Sequence, residues 1–198
     1  MSASSIPEPP VVRVVLSNGL TADVRPIIPQ DRKLVAAGFQ QLSMAGRIAR
    51  FGMVLDHLSE SELRYLTDVD QVNHVAWGAR VEGEPAAIAR YVLVPGASCA
   101  EVAVAVVDGY QRLGLGRALV GALVASDHHN GIERFCFAVD SANRHVLRLG
   151  GDADIDLTEE GDTIHGVISV SDLPVSDGAG EYVDLLTAVQ QAQASGVS

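Results

Sequence analysis

Two features of this 198-residue chain have residue types and spacing suited to chemistry. The first is Gln111-Arg112-Leu113-Gly114-Leu115-Gly116-Arg117-Ala118, a glycine turn between an apolar run and a helical pattern. A glycine turn that opens a helix presents unpaired N–H groups at the positive end of the helix dipole. With no side chains in the way, a phosphate can approach that backbone closely. Arg112 and Arg117 add local positive charge. The second feature is Glu101, a carboxylate in the otherwise apolar run Ala100–Val107, where an unpaired charge is costly. Alternation puts Glu101, Ala103, Ala105 and Val107 on one face, so small side chains leave room beside the carboxylate. Read from position alone, each feature has a plainer alternative. The turn is then a helix start with no ligand, and Glu101 is one half of a structural ion pair.

The elements that would position these groups follow from pattern. Val11–Leu16 and Leu20–Ile27 flank Ser17-Asn18-Gly19 and read as a hairpin, with Pro29 ending the second strand. Asp31 is placed to cap a helix running to about Leu42, and Ser59 with Glu62 forms a capping box for a helix to about Thr67. His74–Val81 and Ala86–Val94 read as a second hairpin, and Ala100–Val107 as the strand before the glycine turn. Helix, strand and helix follow at about 114–127, 133–139 and 141–149, then short strands at 153–157 and 163–170. Hairpins followed by one strand–helix–strand unit predict a mixed sheet with helices on both faces. Tyr182, Leu185, Leu186 and Val189 make Glu181–Gln193 an amphipathic helix. It either docks on its own domain or forms a homodimer contact. The expected organisation is a tail over 1–10, a domain over 11–173, and a linker with the amphipathic helix over 174–198.

Composition removes several function classes. Lys and Arg total 14 against 25 Asp and Glu, a net charge of −11, which opposes nucleic acid or an anionic membrane as partner. The only lysine is Lys33, without a glycine loop before it, so P-loop and kinase lysine chemistries lack a candidate. The longest apolar stretch, Ala118–Ala125, is far short of the roughly 20 residues of a membrane span. The first ten residues lack the basic and apolar regions of a signal peptide. Two cysteines, Cys99 and Cys136, then read as buried free thiols on neighbouring strands of a cytoplasmic protein.

The dinucleotide fingerprint fails where its third glycine would be, at Leu119. Gln-x-x-Gly-x-Gly after a strand, within this strand order, instead resembles the pyrophosphate loop of the GNAT N-acetyltransferase superfamily, from roughly Thr21 to Val170. Within it the chain is most similar to the bacterial protein lysine acetyltransferase branch. Val24-Arg25-Pro26, Arg50-Phe51, Leu66-Thr67, Asp70, Asn73-His74, Ala100–Val104 and Asn143-Arg144 carry that likeness. The resemblance implies an α/β (α+β) GNAT fold. This is a mixed, mostly antiparallel sheet of six to seven strands with helices on both faces, plus an N-terminal hairpin strand and a C-terminal helix.

It also implies acetyl-CoA as co-substrate and acetyl transfer to an amine, either a protein lysine or a small molecule. Backbone groups of Val104, Ala105 and Val106 would pair with the pantetheine arm and stabilise an oxyanion. The amides of Gln111, Arg112, Leu113, Gly114, Leu115, Gly116, Arg117 and Ala118 would hold the pyrophosphate, and Asn143 would lie near the reactive end. Glu101 would be the general base, its pKa raised by burial, taking a proton from an amine whose ordinary pKa is about 10.4 for lysine. The family's tyrosine after the asparagine has no counterpart in Asn143–Leu149, which leaves His145 as a substitute acid to consider. Ser43–Leu66 would line the acceptor site. A catalytically silent acyl-CoA-binding module is the competing class.

Other clusters carry less. Asp152, Asp154 and Asp156 imitate a calcium loop, but Leu157 and Thr163 stand where glycine and glutamate are needed, so no metal is expected. His128 and His129 are adjacent and do not share a helix face. Trp77 and Tyr91 read as core or cleft residues.

Overall fold

The computed structural model describes residues 10–51, 55–93, 96–174 and 179–195; apart from Pro10, the expected tail lies outside them. The strands are β1 (Val12–Val15), β2 (Thr21–Pro26), β3 (His74–Val81), β4 (Glu84–Val92), β5 (Ala100–Val106), β6 (Arg134–Asp140), β7 (Ile155–Glu160) and β8 (Thr163–Ser169). The helices are α1 (Arg32–Gln41), α2 (Met44–Phe51), α3 (Glu60–Thr67), α4 (Leu115–Asn130) and α5 (Ala179–Ser195). All eight strands join one sheet in the order β1-β2-β3-β4-β5-β6-β8-β7. The hairpin strand β1 is therefore part of the sheet, which exceeds the expected six to seven strands. Only β5 and β6 run parallel.

Each face of the sheet has its own core. The stripe Leu115, Leu119, Ala122 and Leu123 seats α4 against Trp77, Ala89 and Tyr91, all fully buried. Burying a leucine or aromatic side chain is worth about 1.5–3 kcal/mol. Trp77 and Tyr91 also satisfy their polar atoms: Trp77 Nε1 donates to Ser126 Oγ at 2.9 Å, and Asn130 Nδ2 donates to the Tyr91 hydroxyl at 2.7 Å. The C-terminal helix docks on this face through Tyr182, Leu185, Leu186 and Val189. Tyr182 meets the Trp77 ring edge-on at 5.3 Å, so the stripe is used within the chain. On the opposite face Phe39 and Leu42 from α1 pack with Leu58, Leu66 and Val107.

Four expectations need correction. Asp31 does not cap α1. Its carboxylate receives Arg25 Nη1 at 2.7 Å and Nη2 at 2.6 Å, together with the Ile28 N–H at 2.9 Å. A bidentate guanidinium outcompetes a neutral amide for a carboxylate. Within 43–66 a further helix forms, α2, after Ser43, whose Oγ accepts from the Gly46 N–H at 3.1 Å. The expected helix at 141–149 is a 3-10 run, Ser141–Gly150, interrupted at Asn143 (φ −99°, ψ 33°). Cys99 and Cys136 are not free thiols but form a disulfide, with Cα atoms 5.8 Å apart. Sequence spacing cannot report that separation, because it arises from the parallel pairing of distant strands.

Two stability measurements follow. Cys99→Ser opens a cross-link between residues 37 apart and lowers the unfolding free energy by about 2–4 kcal/mol, read as a urea midpoint without reductant. Asp31→Ala strands the buried Arg25 charge and destabilises by about 3–5 kcal/mol, whereas joint replacement of both residues by apolar ones recovers most of that loss.

Candidate active site

The site begins where β5 leaves β6. The two strands pair only at Ala100↔Phe135 and Glu101↔Cys136, then part, although each continues for several residues. The disulfide ties the closed end of this wedge. On its other edge β5 stays paired with β4 from Glu101 to Val106. The Val107 N–H donates to the Ala86 carbonyl at 2.9 Å, which fixes the alternation of backbone groups along the strand. Odd-numbered residues therefore direct their N–H and C=O to β4. Even-numbered residues direct theirs towards β6, and beyond the paired end Val104 and Val106 direct theirs into the open wedge. Of the three residues expected to offer backbone groups, Val104 and Val106 do so, and Ala105 does not. The Val106 carbonyl already accepts from Gln111 Nε2 at 3.1 Å.

The wedge leads to the start of α4. Gly114, at φ +94°, occupies the left-handed region that a glycine adopts without strain, and no side chain caps the helix there. The first-turn amides of Leu115, Gly116 and Arg117 thus lack intrahelical acceptors. Arg112 is also left-handed, at φ 62°, and the Leu113 carbonyl turns away to accept from Ser17 N at 3.1 Å. Gly116 is held to glycine by packing: a Cβ there would stand 3.0 Å from Leu149 and 3.8 Å from Val106. Arg112 and Arg117 are exposed beside this turn, and the Arg117 guanidinium lies against Gly151. On the far side of the wedge, Asn143 Oδ1 is buried without a hydrogen-bond partner. An orphaned acceptor of this kind points to a donor that a bound molecule brings.

The opposite face of the sheet carries an open cleft of about 850 Å³ under α1. Ala103, Ala105 and Val107 line it, as the strand alternation predicts, with Phe39, Ile88 and Leu42 supplying apolar walls. Glu101 lies on the same face beyond that lining and is exposed. The burial expected of it is therefore absent. No cation pairs with it among the described residues. The sequence reading missed the polar end of the cleft. There Arg90 Nη1 donates to the Tyr65 hydroxyl at 2.9 Å, and its guanidinium stacks over the Tyr65 ring at 4.8 Å. His74 sits 3.5 Å from Arg90 Nη1; burial, then the Arg90 charge, pushes its pKa down to about 4, so the ring is neutral near pH 7. The argument applied to Glu101, a charge in an apolar strand, would have found Arg90 as well.

The remaining candidates separate from the site. Asp152, Asp154 and Asp156 do not join a metal-binding group among the described residues. The side chains of His128, His129 and His145 lie outside those residues.

Known proteins share this arrangement. The model of the Acetyltransferase (GNAT) family matches residues 47–150. Acetyltransferase Pat of Mycolicibacterium smegmatis is 36% identical over 131 residues, which is 64% of this chain and 38% of that protein. The chain thus spans less than half the length of that relative. Acetyltransferase PA5475 of Pseudomonas aeruginosa is 31% identical over 137 residues, covering 67% of this chain and 73% of its own length. The crystal structure of the GNAT domain of S. lividans PAT has a TM-score of 0.73 at 29% identity, covering 80% of this chain and 96% of that one. Both the Pat relative and the PAT domain agree with the lysine acetyltransferase likeness in the motifs. With an eight-stranded mixed sheet that parts beside an uncapped glycine turn, and with these relatives, the chain belongs to the acetyltransferase (GNAT) family.

Proposed function

We propose that this protein transfers an acetyl group from acetyl-CoA to an amine, with a protein lysine as the acceptor. The reading rests above all on the wedge between β5 and β6, which offers unpaired strand groups and ends at an uncapped helix. The residues fit an acyl-CoA. Val104 and Val106 present peptide groups for an extended arm with amide bonds, and the α4 start suits a diphosphate. Asn143 supplies a buried acceptor with no internal partner. The motif likeness to the protein lysine acetyltransferase branch favours a protein acceptor over a small amine.

In this mechanism the acceptor reaches the wedge from the cleft face. Glu101 takes the ammonium proton directly or through one water, which its exposure permits. The freed nitrogen lone pair attacks the thioester carbonyl. N–H groups of Val104 and Val106 stabilise the negative oxygen that develops. Collapse forms the amide and breaks the C–S bond; the second nitrogen proton passes to solvent, and the released coenzyme thiolate takes a proton from solvent. Asn143 and the Gly114 turn bind and orient; neither transfers a proton.

Two variants test these roles separately. Glu101→Gln retains acetyl-CoA affinity but loses about 10²–10⁴-fold in turnover, followed as thiol release with a lysine peptide. Full turnover in that variant removes Glu101 from the mechanism. Gly114→Val forces a β-branched residue to a positive φ, costing about 1–2 kcal/mol, and weakens CoA binding at least about tenfold by calorimetric titration. An unchanged affinity there removes the turn from the binding site.

A further inference from the structure

The charges lining the acceptor cleft are Arg25, Arg80 and Arg90 against Asp23 and Asp31, a surplus of one positive charge (3 − 2 = +1) in a chain whose net charge is −11. Both carboxylates are engaged. Asp31 is held by Arg25, and Asp23 lies 3.6 Å from Arg13. The cleft therefore offers little to a polycationic acceptor, despite the acidic protein around it.

Arg90 is the odd member. Three arginines, Arg25, Arg32 and Arg90, have a buried Nε without a hydrogen-bond partner. Arg25 and Arg32 nevertheless have their charge matched, by Asp31 and by Asp68 at 2.6 Å. Arg90 meets only neutral groups, the Tyr65 hydroxyl and ring and the uncharged His74 imidazole. Its hydrogen bonds within the described residues all leave from Nη1. Nε and Nη2 make none; Nε is shut off from solvent, which leaves Nη2 to meet a carboxylate in a charge-assisted bond. Tyr65 and His74 hold the Nη1 side, so Nη2 is presented in a fixed orientation. Arg90 stands opposite Ala103 in the β4–β5 pairing, within the cleft and close to the backbone of Val104.

We propose that Arg90 is a specificity residue that recognises a carboxylate entering the cleft beside the reacting groups. The carboxylate comes either from the acyl chain of a dicarboxylic thioester or from an acidic residue next to the acceptor lysine. This inference rests on the acyl-transfer reading for its geometry, but binding tests it without turnover.

The experiment compares matched probes on the wild-type chain, Arg90→Gln and Arg90→Lys. One arm titrates succinyl-CoA against butyryl-CoA. The other titrates a CoA-loaded sample with a lysine peptide flanked by aspartates against the same peptide flanked by asparagines. In one arm the wild type prefers the carboxylate-bearing probe by about tenfold or more. Arg90→Gln abolishes that preference while leaving affinity for the uncharged probe in place, and Arg90→Lys recovers part of it. The arm that responds identifies the source of the carboxylate. Equal affinities within both pairs, or an equal loss for charged and uncharged probes in Arg90→Gln, overturn the proposal. Thiol release from acetyl-CoA, measured in parallel, reports on acyl transfer itself. Release without carboxylate preference leaves the reaction standing and removes Arg90; preference without release does the reverse.

Discussion

The parting of β5 from β6 is the constraint on which the rest of the structure depends. Two paired residues and a disulfide close the wedge at one end, and beyond them the peptide groups of Val104 and Val106 have no strand partner on that side. Strand edges inside a sheet are ordinarily satisfied by the next strand, since unpaired backbone groups are costly where water is excluded. Keeping this edge open requires firm packing elsewhere. That comes from α4 and α5 on one face and from α1 and α3 on the other, each seated on its own buried cluster. The same opening leaves the start of α4 accessible, so strand groups and helix amides face a common space.

Charge works at two scales in this protein. The net charge of −11 describes the surface a partner meets at long range. Binding depends on local groups that need not share that sign. The proposed anion site would rest on backbone amides and two exposed arginines, and the cleft lining has a positive surplus. An acidic protein can therefore hold an anionic co-substrate, because screening over about 8 Å at physiological salt weakens the distant charges more than the contacting ones.

Much of the fold was legible in residue patterns. The Asn18-Gly19 hairpin, the Ser59–Glu62 capping box, and the stripes of α4 and α5 each depend on neighbours a few positions away. The capping box forms as read, with Ser59 N donating to Glu62 at 2.7 Å. Readings failed where a group outside the element competed for the same partner. Asp31 is a plausible helix cap until Arg25, six positions earlier in β2, takes its carboxylate. The C-terminal stripe could not be assigned a partner from its own residues, because Trp77, more than a hundred positions earlier, supplies the surface Tyr182 covers.

The sequence by itself determined the family, the glycine turn and the face on which Glu101 stands, because strand alternation and helix periodicity are properties of a few consecutive residues. Only the tertiary structure decided that Glu101 is exposed, that Cys99 meets Cys136, that Ala105 turns its peptide away from the wedge, and that Arg90 meets no carboxylate among the described residues. Exposure, disulfide pairing and charge compensation are set by what distant segments place around a group. No count along the chain contains that information.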